Sequence, residues 1–479
     1  MGRDIDSRTF TDEDFARFSA RLADETAQLE QWLTEGRFSE AHPVGGFELE
    51  AWLTDPEFFP APLNDAVLER MADPLLTTEL ARFNIELNTA PCTLEGPALG
   101  RMQVGLDDIW QRCRNGVAAL GGRLVTIGIL PTIGQADLTR AAMTPIARFV
   151  ALNEQVLRQR DGRDLHIDIV GHEHLRTTHP DVMLESAATS FQVHMQVPAS
   201  RAADYFNSSL LASAPVVAVG ANSPYLFGRD LWAETRVPLF EQAVETGGFD
   251  SAAHGPPRRV GFGAGFLRHS VAECFRENLD HFPVLLPMCF DDADLPHLPH
   301  LQLQNGTIWR WNRPLIGFDA AGTPHVRIEH RTLPGGPTGI DAIANAALYY
   351  GLAQFYASEP GRAATVLSFP TARDNFYACA RHGLEARVVR SDGTHEPIAR
   401  LLIERLLPCA RQGLRDLGLD SGEIDRYLGI LDDRITSGQN GAAWQRAWVA
   451  RHGRDMAALT AAYAERQAEG QPVHTWDLH

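Results

Sequence analysis

Four short stretches of the chain alternate apolar and polar positions with a period of two. They are Phe47-Glu48-Leu49-Glu50-Ala51, Phe83-Asn84-Ile85-Glu86-Leu87-Asn88, Phe191-Gln192-Val193-His194-Met195-Gln196-Val197 and Val326-Arg327-Ile328-Glu329-His330-Arg331. Successive side chains of a strand point to opposite faces, so each stretch predicts a strand with one face on a core. The other face carries carboxylates, His or Arg. Two carboxylates about 4 Å apart repel by roughly 4 kcal/mol at an effective dielectric of 20. A cleft floored by several Glu therefore needs cations, protons or Arg. A divalent metal with a polyphosphate answers both halves of the pattern, Glu taking the metal and Arg the phosphate.

Between these strands the chain reads as mixed α and β. Phe15, Phe18, Leu22, Leu29 and Trp32 space an amphipathic helix over 11–34, opening at Thr11 or Asp12. A Pro-rich linker (Pro56, Pro60, Pro62) and a short helix precede the second strand, and a helix is expected over 98–121, ended by Gly121-Gly122. Arg123 to Leu130 reads as an apolar strand leading to the loop Pro131-Thr132-Ile133-Gly134, a position where a strand end could meet a ligand. Residues 201–219 read as a helix packed under the sheet, and 250–268 as loop. Pro334-Gly335-Gly336-Pro337 stops the last strand, and from Asp341 the pattern is helical almost to the end.

Composition narrows the chemistry. The formal charge of −18 argues against non-specific binding to nucleic acid or an anionic membrane. All 43 basic residues are Arg; without Lys there is no Walker-type phosphate loop, no kinase strand Lys and no Schiff base for pyridoxal phosphate. Six Cys without a C-x-x-C pair offer neither a zinc knuckle nor a thioredoxin-like motif. The longest apolar stretch, Leu210 to Ala221, is too short for a bilayer and contains Pro215, and the N-terminal residues lack an apolar signal region. A cytoplasmic protein is expected.

Other motifs are weaker. Gly261-Phe262-Gly263-Ala264-Gly265 lacks the spacing of a dinucleotide fingerprint and reads as loop. His172-Glu173-His174, with His166 and His179 nearby, is not H-E-x-x-H; it reads as a solvated strand end or substrate loop ahead of a zinc site. No G-x-S-x-G elbow exists for a serine hydrolase. The stretch 304–341 is the most telling, with Arg310, Arg313, His325, Arg327, Glu329 and Arg331.

Taken in order, Glu48-Leu49-Glu50, FNIELNTAP (83–91), GILPTIGQADLT (128–139), SFQVHMQVP (190–198), NSPYLFGRDLWAETR (222–236) and PHVRIEHRTLPGGPT (324–338) resemble the glutamate-cysteine ligases of the plant and bacterial type. They are most similar to the related bacterial carboxylate-amine ligases. The resemblance covers about residues 40–355. It implies an α+β, glutamine synthetase-like fold: a curved, mainly antiparallel sheet forming a funnel-shaped active site, backed by helices. The whole chain, 1–479, would then be a single catalytic domain with its core at about 40–355, the N-terminal helix at 11–34 and a helical C-terminal region at about 341–470. It implies ATP and two or three Mg²⁺ ions, or Mn²⁺, as cofactors. Carried across residue by residue, Glu48, Glu50, Glu86 and Glu329 match metal-binding carboxylates, His194 matches the His beside metal and nucleotide phosphate, and Arg327 and Arg331 match the phosphate-binding Arg pair. Gln192 and Asn88 are weaker candidates. Arg327, Glu329 and Arg331 form the expected catalytic set. The implied reaction is ATP-dependent amide formation through an acyl phosphate, releasing ADP and phosphate. The implied partners are small molecules, with glutamate as carboxylate donor and cysteine as amine. Two other classes compete: a metal-dependent hydrolase using His172 and His174, and a silent nucleotide-binding relative.

Overall fold

A computed structural model describes residues 5–246, 258–290 and 296–478. The alternating stretches become the sheet. Its strands are β1 (Val44–Thr54), β2 (Leu76–Thr78), β3 (Asn84–Asn88), β4 (Ser190–Val197), β5 (Asn312–Phe318) and β6 (Pro324–Pro334), and the spatial order is β5-β6-β4-β1-β3-β2. Every neighbouring pair in that order is antiparallel. Two short strands, Cys92–Thr93 and Arg123–Val125, also pair with β1.

The apolar positions of the alternation form one face. Phe47, Leu49, Ile85, Leu87, Phe191, Val193 and Ile328 are all buried. Behind them lie two apolar helices, α4 (Ala202–Gly220) and α6 (Gly339–Ala357), which pack on each other, α4 also against β6 and α6 against β4. A helix this evenly apolar is stable only when enclosed. Pro215 lies inside α4. The other helices named below are α1 (Asp12–Thr34), α2 (Ala98–Ala118), α3 (Ala147–Gln159) and α5 (Pro299–Asn305). Thr11 caps α1 through a reciprocal box: its hydroxyl accepts from the Asp14 N–H at 3.3 Å, and the Asp14 carboxylate accepts from the Thr11 N–H at 2.9 Å.

In β6 the pairing with β4 slips by one residue between His330 and Leu333. This bulge changes the parity of the strand. Arg327, Glu329 and Arg331 share the polar face, yet Leu333, also odd-numbered, is fully buried and packs toward Gly220 of α4.

Three expectations need correction. The strand expected over 123–130 ends at Val125. The Ile127 carbonyl instead accepts from the Trp52 indole at 3.0 Å, and Gly128 passes so close to Pro334 and Ser223 that a side chain there would collide. The loop 131–134 is turned inward: Ile133 is buried, the Thr132 hydroxyl donates to the Phe58 carbonyl, and none of its residues lines the two cavities described below. Val260–Gly261 is a short strand parallel to Trp309–Arg310, so the glycine run opens on a strand; Gly255-Pro256-Pro257 lies outside the described residues. The C-terminal region is helical apart from one hairpin, Arg387–Val389 with His395–Pro397. All six cysteines are unpaired. Among the described residues no helix is long and apolar enough to cross a membrane.

Candidate active site

Strand register turns the polar faces into rows. Glu50 stands opposite Glu86, and Glu48 lies between Asn88 and Gln192. His194 stands opposite Glu329, and Glu329 opposite Arg313. The rows converge on two groups whose ligand atoms lie within 4.8 Å of one another, Glu48-His194-Glu329 and Glu50-Glu79-Glu86. All the carboxylates and the His selected from the sequence fall in these two groups. Glu79, just beyond β2, is a ligand-competent residue that the sequence reading missed.

The hydrogen bonds show how the acids are held. Glu50 accepts from the Ser190 N–H at 2.6 Å, the Ser190 hydroxyl at 2.8 Å and Gln192 at 3.0 Å. Gln192 accepts in turn from Arg331 at 2.7 Å, so its amide links Glu50 to Arg331. Asn88 and Thr77 both donate to Glu86 Oε1, at 2.9 and 2.8 Å. Glu329 receives a two-pronged bond from Arg313, Nε to Oε2 at 2.8 Å and Nη2 to Oε1 at 2.9 Å, and a third from Arg331 at 3.0 Å. Arg313, absent from the sequence-based site, is thus the main partner of Glu329.

Charge divides the two groups. Burial opposes ionisation of Glu329, but the Arg313 and Arg331 guanidiniums outweigh it and hold the carboxyl well below the usual range. Glu48 is likewise held low, burial being overcome by His194, 3.1 Å away, and Arg327. In the second group burial wins. Glu86 is pushed up to about 7 by burial and the charge of Glu48. Glu79 is raised well above its ordinary value by burial and by Glu50, Glu86 and Glu185. Glu185, on the turn Val182–Ala187, is raised to about 8 by burial and Glu50. In Glu79 and Glu86, burial and neighbouring carboxylates thus favour the protonated form.

Glu48, Glu50, Glu79 and Glu86 floor a pocket enclosing about 740 Å³ of empty space, open solvent included, that Glu185, Arg313, Arg331, Arg148 and an apolar wall complete. A second cavity, about 790 Å³, meets it at Gly306 and Arg313 and contains Arg327 with Leu315 and Ile316. Arg327 and Arg331 therefore reach different chambers. Their placement suits one extended ligand running from the second chamber to the acids, or two ligands meeting there.

The donor set fits divalent metal. Among the described residues, Glu86 Oε2 and His194 Nδ1 are buried without a hydrogen bond, as are the Nε atoms of Arg327 and Arg331, while His194 Nε2 faces Glu48 at 3.1 Å. Buried polar atoms are seldom left unpaired. Carboxylate oxygens suit Mg²⁺ or Mn²⁺, and the guanidinium nitrogens suit phosphate oxygens.

The competing histidines lie elsewhere. His172 is exposed and pairs with Asp230 at 3.1 Å, and exposed His174 pairs with Asp168 at 2.8 Å. Buried His179 bonds the Asp181 and Leu138 carbonyls. None belongs to either ligand-competent group. Arg310 turns to Glu277 at 2.9 Å and Asn278 at 2.7 Å, away from the acids.

No curated protein sequence gives a significant match to the chain. Among solved structures, a glutamate–cysteine ligase from Francisella tularensis in complex with AMP is similar with a TM-score of 0.54 at 11% identity, covering 92% of this chain and 91% of that one. A bifunctional glutathione synthetase from Pasteurella multocida is similar with a TM-score of 0.51 at 13% identity, over 92% of this chain but 54% of its own length. At such identities the likeness is one of fold, the glutamine synthetase-like α+β architecture with a curled antiparallel sheet. The family follows from sequence: a profile described as glutamate-cysteine ligase family 2 (GCS2) matches residues 45–465, and the chain belongs to that family.

Proposed function

We propose that the protein is an ATP-dependent carboxylate–amine ligase that activates an amino-acid carboxylate, glutamate in the first instance, as an acyl phosphate and passes it to an amine. The observation that carries this reading is the pair of ligand-competent groups on adjoining strands, one ion-paired with Arg313 and Arg331 and one, all carboxylate, held by neutral donors. Family membership supports the same chemistry.

Glu48, His194 and Glu329 would hold one divalent ion, and Glu50, Glu79 and Glu86 another. Such ions, when bound, would supply charge neutralisation at the phosphate and carboxylate oxygens. The residues of the chain do the rest. Arg331, fixed by Gln192 and Glu329, is positioned to bind the phosphoryl group in transfer, and Arg327 the remaining phosphates. A carboxylate oxygen of the donor attacks the γ-phosphorus, the bond to the bridging oxygen breaks, and ADP leaves with that electron pair. An amine nitrogen then attacks the acyl carbon, the carbon–oxygen bond to phosphate breaks, and phosphate leaves with its electrons. An amine entering as an ammonium loses one proton before attack and a second after it. Glu185, which lines the same cavity and belongs to neither ligand group, would be the carboxylate that takes the first of them.

The test is trapping. With glutamate, ATP, Mg²⁺ and hydroxylamine, γ-glutamyl hydroxamate and ADP should accumulate in equal amounts. AMP and pyrophosphate as products would refute the mechanism.

A further inference from the structure

We infer that Arg236 is a positioning residue of the reaction: its buried guanidinium holds the β6 bulge by the carbonyls of Arg331 and Thr332, and so keeps the Arg331 side chain over the acids. This rests on the ligase reading and adds a residue to it.

The bulge sets two residues, Arg331 and Thr332, against the single Gln192 of β4. The surplus residue of a bulge drops out of the strand ladder, and its backbone groups need other partners. One nitrogen serves both residues. Arg236, at the start of the short helix Arg236–Ala243, donates from Nη2 to the Arg331 carbonyl at 3.1 Å and to the Thr332 carbonyl at 2.8 Å. The Arg331 N–H donates to the Trp311 carbonyl at 2.9 Å, and the Arg236 guanidinium lies over the Trp311 ring, 5.5 Å from its centroid. Arg236 and Trp311 thus hold the main chain of Arg331 on both sides of its Cα. The side chain leaving that Cα is the one bonded to Gln192 and Glu329.

Arg236 is itself fixed. It is buried, and its Nε donates to Glu234 Oε1 at 3.2 Å. Glu234, fully buried, accepts from the Asn222 N–H at 2.9 Å. The Ser223 hydroxyl touches both members of the pair, accepting from the Arg236 N–H at 3.2 Å and donating to the Glu234 carboxylate. Asn222 also donates to the Gly335 carbonyl at 2.8 Å, so the stretch 222–236 grips the chain at the bulge and again just past the end of β6. A buried ion pair is a weak source of stability. Arg236 lines neither cavity, so its effect on the reaction runs through Arg331. Arg236→Lys keeps a charge for Glu234 but loses the planar fork that serves Glu234 and two carbonyls at once. A displacement of about 1 Å in a group that positions reacting atoms can cost about 100-fold in rate.

The experiment is a double-mutant cycle on the full chain with ATP, Mg²⁺, glutamate and hydroxylamine, reading ADP and γ-glutamyl hydroxamate identified by mass. Arg236→Lys should lower kcat by about tenfold or more and leave the KM for ATP and for glutamate within about twofold. In the Arg331→Lys background the same change should cost less than about twofold. Ser223→Ala removes a hydroxyl and no charge, and it decides the matter if Arg236→Lys does not fold. It should lower kcat by about threefold, with KM unchanged and no further loss in the Arg331→Lys background. A folded variant with wild-type kcat, a loss carried by KM, or losses that multiply in the double variant overturn the inference, and hydroxamate formation by the wild-type chain then keeps the ligase reading standing. A wild-type chain that forms no hydroxamate overturns the ligase reading itself, and this inference with it.

Discussion

Glu86→Gln should stabilise the metal-free protein and abolish the stabilisation that metal provides. Glu86 is 1% exposed, and burial with the neighbouring charge of Glu48 moves its pKa from an ordinary 4.5 to about 7. Between those values the folded protein holds a proton that the unfolded chain has lost. The contribution of this group is therefore full below pH 4.5, falls as pH rises, and is lost by about pH 7. At 1.36 kcal/mol for each tenfold change in proton affinity, the loss is on the order of 3 kcal/mol. Glutamine mimics the protonated acid: its oxygen can keep the bonds from Thr77 and Asn88, and its NH₂ replaces Oε2, an acceptor with no partner among acidic neighbours. With a chelator at pH 8 the variant should melt at or above the wild-type temperature. With saturating Mg²⁺ the order should reverse, since a ligand at about 100 times its Kd stabilises by about 2.7 kcal/mol and the variant loses that term. Scanning fluorimetry of both proteins in both conditions reads the crossing. A chelated variant less stable than wild type, or a Mg²⁺ shift of undiminished size, would show that Glu86 is a structural acid and not a ligand.

Arg331→Lys should lower kcat by about 100-fold or more, because an ammonium cannot reproduce the guanidinium bonds to Gln192 and Glu329 and also face a phosphate; wild-type steady-state kinetics in the variant would assign Arg331 to structure. Glu329→Gln should remove turnover and also cost on the order of 3 kcal/mol, since two buried guanidiniums lose their counter-charge. Denaturation alongside ADP release separates the two effects, and near-normal ADP release would rule out a metal role for Glu329. Metal uptake should release protons, because Glu86 at about 7 and Glu185 at about 8 hold them near neutral pH in the metal-free protein and a dication favours their ionised form. Titration calorimetry in buffers of different ionisation enthalpy should give an apparent heat that tracks the buffer, with affinity rising from pH 6 to 8; a buffer-independent heat would contradict the linkage.

The strands that carry the two ligand-competent groups were legible because a half-buried strand writes its two faces into alternate positions. That periodicity puts Glu48, Glu50, Glu86, His194 and Glu329 on the polar faces, the family resemblance singles them out as ligands, and the sheet brings them together. Glu79 left no such trace: it follows a three-residue strand, too short to show alternation, and only the register of Thr77 with Glu86 brings it to the cluster. Glu185 lies on a 3₁₀ turn, where no period distinguishes an inward acid from a solvated one. Arg313 was visible in the 304–341 stretch, but its bond to Glu329 depends on cross-strand pairing. The misread strand at 123–130 has a related cause. Ile127, Ile129 and Leu130 are apolar because the chain dives into the core, and an apolar run does not tell a buried strand from a buried coil.

The bulge in β6 makes the numbering of that strand a poor guide to its faces. Up to Arg331 an odd number means a side chain over the acids, and by Leu333 it means one against α4. One surplus residue thus allows a single strand to serve two masters in succession, ligand and core. Comparisons among relatives should place any one-residue gap at 331–332 and not in the turn beyond. Shifted by one, Thr332 would inherit the role of Arg331, and a lineage that kept the guanidinium would be scored as having lost it. Removing the surplus residue would restore regular alternation and leave Leu333 opposite Phe191, whereas a bulge placed before Arg331 would turn its side chain toward hydrocarbon, so the position of the bulge is under the same constraint as the composition of the strand.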